Sequence, residues 1–165
     1  MWFLRAELMY TDSMNVELAE IWRELEDFAQ KMSGDRKTKV AACLVSSDGR
    51  RVFGANRLTD GHGLSEEKIA ERVRPEFYDA MKCGEIDALD RAVELGFDLR
   101  EATIYSSMFP CPRCAEKIAK TGVGRIIAKK HRVKHNGKFE NALEDSKKFF
   151  DEAGIEYEIG EEDIR

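Results

Sequence analysis

The sequence predicts an α/β domain of three layers, in which helices flank a mixed central sheet of about five strands. Strand-like segments alternate with helix-like segments along most of the chain, a pattern typical of α/β architecture and not of a helical bundle. After residue 100 the strands are linked through helices, and such crossovers favour parallel pairing. The chain has 165 residues, the usual length of one domain with a substantial core. We therefore expect a single domain over residues 1–165.

The first third of the chain predicts one helix and one hairpin. The segment “NVELAEIWRELEDFAQKMS” repeats apolar residues at a three-to-four spacing, which predicts an amphipathic helix capped by Ser13 or Asn15. The segment “KVAACLVS” is a nearly continuous apolar run, typical of a buried strand. A turn at “SSDGR” and a second strand at “RVFGAN” predict that residues 39–56 form a hairpin.

The rest of the chain supplies the remaining elements. Residues 57–82 are the least regular part and are predicted to hold a loop and one helix, with Ser65 as its cap. Three more helices are predicted, from Gly84 through “EIDALDRAVELGF”, over “CPRCAEKIAKTG”, and over “NALEDSKKFFDEAG”. The segments “ATIYSS”, “GRIIAKK” and “IEYEI” are predicted strands. With the hairpin, they make up the five strands expected in the sheet.

Composition restricts the class of protein. Hydrophobic residues make up 42% of the chain and charged residues 36%, values typical of a soluble globular protein. The formal net charge of −5 argues against a nucleic-acid partner, because such a partner usually requires a basic face. No apolar run approaches the roughly 18–20 residues that span a bilayer, and “MWFLRAELMY” lacks a secretory cleavage pattern. We expect a cytoplasmic protein without a membrane or nucleic-acid partner.

Three of the four cysteines predict a metal site. Cys111 and Cys114 form a C-x-x-C at the predicted start of a helix, where backbone N–H groups stabilise thiolates. Cys83 lies at the start of another predicted helix and supplies a third ligand. Three protein ligands plus a water are typical of catalytic zinc, whereas structural zinc has four protein ligands. Glu85 lies in the same helical turn as Cys83, so its carboxylate is placed to take a proton from that water.

Two other interpretations of these cysteines are open. The C-x-x-C can be a redox pair, or His131 or His135 of “KKHRVKH” could complete a structural zinc site as a fourth ligand. However, three zinc ligands of the Cys or His type, a Glu that is not a ligand and a P-C-x-x-C together are the arrangement of zinc deaminases.

The chain resembles the deoxycytidylate (dCMP) deaminase family of the cytidine deaminase superfamily over residues 14–158. The resemblance implies a cytidine-deaminase-like fold, zinc (Zn2+) on Cys83, Cys111 and Cys114, and Glu85 as proton shuttle. It implies attack of zinc-bound hydroxide on C4 of a cytosine mononucleotide such as dCMP, giving dUMP and ammonia. Family members form oligomers, so a homo-oligomer is expected. The segments that carry the resemblance are “SGDRKTKVAACLVSSDGRRVFGAN”, “RPEFYDAMKCGEIDAL”, “ATIYSSMFPCPRCAEKIAKTGVGRII” and “FFDEAGIEYEI”.

The resemblance also implies contacts to a small-molecule nucleotide substrate. Asn56 would hydrogen-bond the sugar or the base, and the backbone N–H of Gly84 would face the pyrimidine carbonyl. Arg36, Lys37 and Arg57 are the candidates for the 5′-phosphate, because they are concentrated where the family binds that end of the nucleotide.

The metal site departs from the family's pattern at Cys83, where the family usually has His. A third thiolate adds negative charge and weakens the effect of zinc on its water, and Arg113 is the predicted compensating charge. Asp87 stands where the family usually has Asn. Because three-Cys sites occur in the free-nucleoside branch, deamination of a nucleoside, free nucleobase or other aminated heterocycle is an alternative. A non-catalytic nucleotide-binding regulator is another, although the presence of Glu85 argues against it.

Overall fold

The computed structural model describes residues 2–131 and 141–160 as alternating helices and strands. Every strand and helix that the sequence predicts is present. The irregular segment 57–82 also contains two short strands and a second short helix that the sequence did not predict. In chain order the elements are α1 (Trp2–Met32), β1 (Ala41–Val45), β2 (Arg51–Ala55), β3 (Arg57–Leu58), α2 (Glu66–Glu71), α3 (Glu76–Asp79), β4 (Met81–Lys82), α4 (Gly84–Glu94), β5 (Thr103–Ser106), α5 (Pro112–Ala119), β6 (Arg125–Ala128), α6 (Ala142–Ala153) and β7 (Glu156–Ile159).

Five strands form the central sheet in the order β2-β1-β5-β6-β7. Strand β1 pairs antiparallel with β2 and β5, while β5, β6 and β7 run parallel to one another. The mixed five-stranded sheet and the parallel pairing after residue 100 are therefore confirmed. Helices α5 and α6 supply the crossovers that parallel strands require. Strands β3 and β4 form a separate antiparallel pair.

Helix α1 is longer at its N-terminus than the sequence predicted. It begins at Trp2, so the prediction that Ser13 or Asn15 caps it is wrong, because both residues lie inside the helix. Neither Pro nor Gly interrupts residues 2–32, so nothing in that stretch forces the helix to begin later. The predicted cap of α2 is confirmed, since the Ser65 hydroxyl accepts a hydrogen bond from the Lys68 backbone N–H at 3.3 Å. Within the described residues, no helix is long and apolar enough to cross a membrane.

Strand β1 is buried on both faces of the sheet, which accounts for its continuous apolar sequence. Ala41 and Cys43 pack against α1, while Leu44 belongs to the core formed with α4, α5 and α6. Cys43 is fully buried, and its desolvation raises the pKa of the thiol to about 12. Such a thiol is inert and behaves as a small apolar side chain.

Helix α4 lies directly on strand β2 at Gly54. A Cβ atom at Gly54 would stand within 2.5 Å of the Gly84 carbonyl oxygen and 2.8 Å of the Ala88 Cα, both of which are backbone atoms of α4. No other residue has a side chain small enough for this approach. The contact fixes the height of α4 above the sheet, and therefore the position of the residues at the start of α4.

Candidate metal centre and active-site cavity

The three candidate zinc ligands are brought together by the starts of two helices. Cys83 is the N-cap residue of α4 and Cys111 is the N-cap residue of α5, both with extended backbone. Pro112 follows as the first residue of α5, a position where its missing N–H is not needed. Cys114 lies one turn further along α5 and is buried. Orphan backbone N–H groups of both helices thus lie beside the sulfur atoms, where they favour thiolates.

The spacing of the three sulfur atoms fits a zinc ion. The Sγ atoms of Cys83, Cys111 and Cys114 all lie within 4.8 Å of one another, and those of Cys111 and Cys114 are 3.5 Å apart. Tetrahedral coordination with Zn–S bonds of about 2.3 Å places two sulfurs about 3.8 Å apart. Small side-chain movements therefore suffice to complete three zinc–thiolate bonds.

The described residues do not bring a fourth ligand to this cluster. His131 lines the neighbouring cavity but is not among the clustered ligand atoms, which come only from the three cysteines within residues 2–131 and 141–160. The other candidate, His135, lies outside the described residues. The arrangement matches a zinc site with an open position better than a closed structural site.

The three thiols shift one another's pKa values through hydrogen bonds. Hydrogen bonds from the Cys114 and Cys83 thiols lower the pKa of the Cys111 thiol. The same interactions with Cys111 raise the pKa values of Cys83 and Cys114. Since zinc binds thiolates, a metal that ligates all three sulfurs has to displace protons from this cluster.

Glu85 lies next to the cysteines, as predicted, in the first turn of α4. Its side chain is 3% exposed, and its Oε1 atom accepts a hydrogen bond of 2.9 Å from the Ser106 hydroxyl. Glu85, Cys83 and Cys111 line one cavity of about 390 Å³. The cavity therefore presents a buried carboxylate beside two of the candidate metal ligands, which is the geometry that proton transfer to a bound substrate needs.

Two of the predicted substrate residues line this cavity. They are Asn56 and Gly84. The Asn56 amide already holds the loop before β1, because its Oδ1 accepts hydrogen bonds from the Ser33 hydroxyl at 2.6 Å and the Val40 N–H at 2.9 Å. Its Nδ2 donates to the Thr38 carbonyl at 2.7 Å. The amide thus shapes the cavity wall, and contact with a substrate stays a prediction.

The predicted phosphate contacts lie elsewhere. Arg36, Lys37 and Arg57 are not among the residues that line the cavity. Arg36 and Lys37 are exposed, and Arg36 lies 3.8 Å from Glu66 at the surface. Arg57 donates from Nε to Asp87 at 2.7 Å. Asp87 is fully buried, so the charge of Arg57 is used to stabilise that carboxylate.

Sequence reasoning missed the arginines of the irregular segment that do line the cavity, Arg72 and Arg74. Arg72 forms a 2.7 Å ion pair with Asp35, in which both side chains are largely buried. The Arg74 guanidinium lies 4.2 Å from the centre of the Tyr78 ring. Among the described residues, no carboxylate pairs with Arg74. The sequence feature that could have indicated them is the segment “RVRPEFY”, in which two arginines lie close to aromatic residues.

Arg113, whose role as a tuning charge stays a prediction, lies beside the cysteines. It lines the cavity, and its Nη2 atom donates to the Met81 carbonyl at 3.4 Å. Although partial burial works against the charge, the adjacent Cys83 and Cys111 raise the pKa of Arg113 above its ordinary value. A cation therefore lies beside the three sulfur atoms.

Comparisons with known proteins agree with this geometry. Residues 17–130 match the model of the “Cytidine and deoxycytidylate deaminase zinc-binding region”. Human deoxycytidylate deaminase is 25% identical over 116 residues, which are 68% of this chain but only 64% of the human protein. A second relative is a protein of Aliivibrio fischeri, described as an uncharacterized deaminase in the luxG 3′ region. It is 30% identical over 133 residues, which are 81% of this chain and 86% of the Aliivibrio protein.

Solved structures show the same fold. The dCMP deaminase of cyanophage S-TIM5, determined with dCMP and dUMP, aligns with a TM-score of 0.65 at 19% identity, over 88% of this chain and 96% of its own. A diaminohydroxyphosphoribosylaminopyrimidine deaminase/reductase of Thermotoga maritima aligns with a TM-score of 0.59 at 20% identity, over 86% of this chain and 35% of its own. At these identities the likeness concerns the fold alone.

Proposed function

The chain belongs to the cytidine and deoxycytidylate deaminase family, and we propose that it is a zinc-dependent hydrolytic deaminase of a cytosine mononucleotide. The proposed substrate is dCMP, which is converted to dUMP and ammonia. One observation carries the proposal: the buried carboxylate of Glu85 lines the same cavity as Cys83 and Cys111, two members of the three-cysteine cluster. In this family the combination serves hydrolytic removal of an exocyclic amine.

Cys83, Cys111 and Cys114 are the residues that would hold the zinc. When bound, zinc supplies a Lewis acid that lowers the pKa of a coordinated water to about 7. Glu85 would accept the first proton of the attacking water and deliver it to N3 of the cytosine. It would then take the second proton, from the hydroxyl now bonded to C4, and pass it to the amine, so that the C4 carbonyl forms as the C4–N bond breaks and ammonia leaves. Its 3% exposure keeps bulk water away from that proton.

The arginines that line the cavity support a phosphorylated substrate. The charge of Arg72 is balanced by Asp35 at 2.7 Å, and Arg113 faces the cysteines. Arg74 is held against the Tyr78 ring without a carboxylate partner among the described residues. We infer that Arg74 binds the 5′-phosphate, for which a guanidinium is well suited. The alternative substrate is an uncharged nucleoside, a free nucleobase or another aminated heterocycle. This alternative is favoured by Cys83, which stands where the family usually has His.

We expect Arg74→Ala to lower kcat/KM for dCMP by roughly 10- to 100-fold, because a charge-assisted contact to the phosphate is lost. Activity on deoxycytidine should not change, because that substrate has no phosphate. Steady-state kinetics on both substrates provides the measurement. Arg100→Ala is the matched control, since Arg100 is exposed and pairs with Asp98.

Arg36→Ala tests the site that the sequence alone predicted. If Arg36→Ala and not Arg74→Ala shows the selective loss on dCMP, the phosphate binds at the loop before β1. If neither variant discriminates between dCMP and deoxycytidine, the alternative of an uncharged substrate is favoured.

The proposal as a whole is tested by zinc content and ammonia release. We expect about one zinc per chain, and ammonia release from dCMP in preference to dCTP, deoxycytidine, cytosine, guanine and adenosine. A purified protein that holds zinc but releases ammonia from none of these compounds would contradict the proposed activity. Preference for deoxycytidine or cytosine would leave a deaminase with a different substrate.

A further inference from the structure

A second buried polar side chain, Ser106, stands beside Glu85. Ser106 is the last residue of β5 and is fully buried. It shares the sheet face of Ile104, two residues earlier, where the neighbours are core residues of α4, α5 and α6. A hydroxyl on such a face costs free energy unless it is hydrogen-bonded. Here the hydroxyl is hydrogen-bonded to the Met108 backbone and also to the Glu85 carboxylate, and the second of these contacts links it to the candidate site.

The Ser106 hydroxyl lies between two acceptors. Its Oγ atom is 2.9 Å from Glu85 Oε1 and 2.7 Å from the Met108 carbonyl oxygen. A hydroxyl carries one hydrogen, so it can donate to only one of these oxygens at a time, while its lone pairs can accept. Both distances are those of ordinary O–H···O hydrogen bonds.

We propose that Ser106 is a positioning residue that holds Glu85 in place throughout the reaction, which rests on the proposed function of Glu85 as proton shuttle. While Glu85 is a carboxylate, the Ser106 O–H donates to Oε1. While Glu85 carries the transferred proton on that oxygen, the carboxylic acid donates to Oγ, and the hydroxyl turns to donate to the Met108 carbonyl. The same pair of atoms stays hydrogen-bonded in both states, so the carboxyl group need not move as the proton passes.

The experiment compares Ser106→Ala with Ser106→Thr, which keeps the hydroxyl. Per zinc-loaded molecule, we expect Ser106→Ala to lower kcat by roughly 10- to 100-fold with KM nearly unchanged, because a hydrogen bond to a charged group is lost. The Thr variant should recover most of the rate. Ser107→Ala is the matched control, because the adjacent Ser107 hydroxyl accepts from the Ala41 N–H at 3.1 Å. A similar loss of kcat in Ser106→Ala and Ser107→Ala would indicate a general weakening of this loop and would overturn the proposal.

A crystallographic readout separates this inference from the proposed function. In zinc-loaded crystals, Glu85 should occupy one rotamer in the wild type and in Ser106→Thr, and shift or split into two conformers in Ser106→Ala. An unmoved Glu85 in Ser106→Ala, or a kcat within about twofold of the wild type, overturns the positioning role while the deaminase proposal stands. If the wild type deaminates no substrate, a Glu85 that shifts only in Ser106→Ala still supports the positioning, and the proposed function alone fails.

Discussion

Glu85→Gln is expected to reduce kcat by roughly 10²- to 10⁴-fold, the usual contribution of a positioned general acid–base group. Gln has nearly the same shape as Glu, and its amide oxygen can still accept the 2.9 Å hydrogen bond from Ser106. It cannot accept and return a proton at neutral pH. Because Glu85 is not among the clustered metal-ligand atoms, zinc content should stay at the wild-type level. The measurement is kcat at saturating dCMP, normalised to bound zinc.

Glu94→Gln is the matched control for this substitution. Glu94 is the last residue of the same helix α4 and is exposed, so the same chemical change there should leave kcat and zinc content as they are. Full activity of Glu85→Gln would refute the assigned mechanism for any substrate. A loss of zinc in Glu85→Gln would show instead that the carboxylate acts through the metal site.

The metal centre could be predicted from the sequence because its geometry is local. Cys111 and Cys114 are separated by one helical turn, and a helix start directs both sulfurs toward one point. Cys83 and Glu85 are likewise fixed to each other by the first turn of α4. The long-range step, bringing the starts of α4 and α5 together, was supplied by the motif and by the family resemblance.

The proposed phosphate contact, Arg74, could not be predicted in the same way. Asp35 accepts hydrogen bonds from the backbone N–H groups of Lys37 at 2.9 Å and Thr38 at 3.2 Å, which turns the loop so that Arg36 and Lys37 are exposed. The second oxygen of Asp35 binds Arg72, 37 residues further along the chain. A contact between residues so far apart in the chain leaves no periodic pattern in the sequence. The strands β3 and β4, of two residues each, are also too short to produce one.

The role of Arg57 depends on which residue occupies position 87. The family's usual Asn is neutral, but Asp87 places a carboxylate in the core with no exposed surface. Such a charge is stable only with partners, and Arg57 at 2.7 Å and Arg91 at 3.2 Å supply them. The sequence shows a cation, Arg57, where the family resemblance implies that the nucleotide binds. Only the structure shows that Asp87 already neutralises it.

Gly54→Ala is expected to destabilise the protein by about 3 kcal/mol or more, at or above the usual range for overpacking. The added methyl meets backbone atoms of α4, within 2.5 Å of the Gly84 oxygen, and backbone cannot move aside as a side-chain end can. Urea unfolding of the zinc-free protein measures the effect. Gly84→Ala is the comparison, because its Cβ would stand 3.3 Å from the Val40 oxygen and the Ala41 Cα, a contact that shifts of a few tenths of an ångström relieve.

Gly54→Ala should also weaken zinc binding, independently of its effect on the stability of the fold. Helix α4 carries Cys83, whereas Cys111 and Cys114 belong to α5. The nearest atoms that a methyl at Gly54 meets all belong to α4, so we expect it to displace α4 and to separate the Cys83 sulfur from the other two, which lie 3.5 Å apart. Competition with a chromophoric zinc chelator should therefore show weaker binding by folded Gly54→Ala than by Gly84→Ala. Equal zinc affinity in the two variants would mean that the position of α4 over β2 does not set the geometry of the metal site.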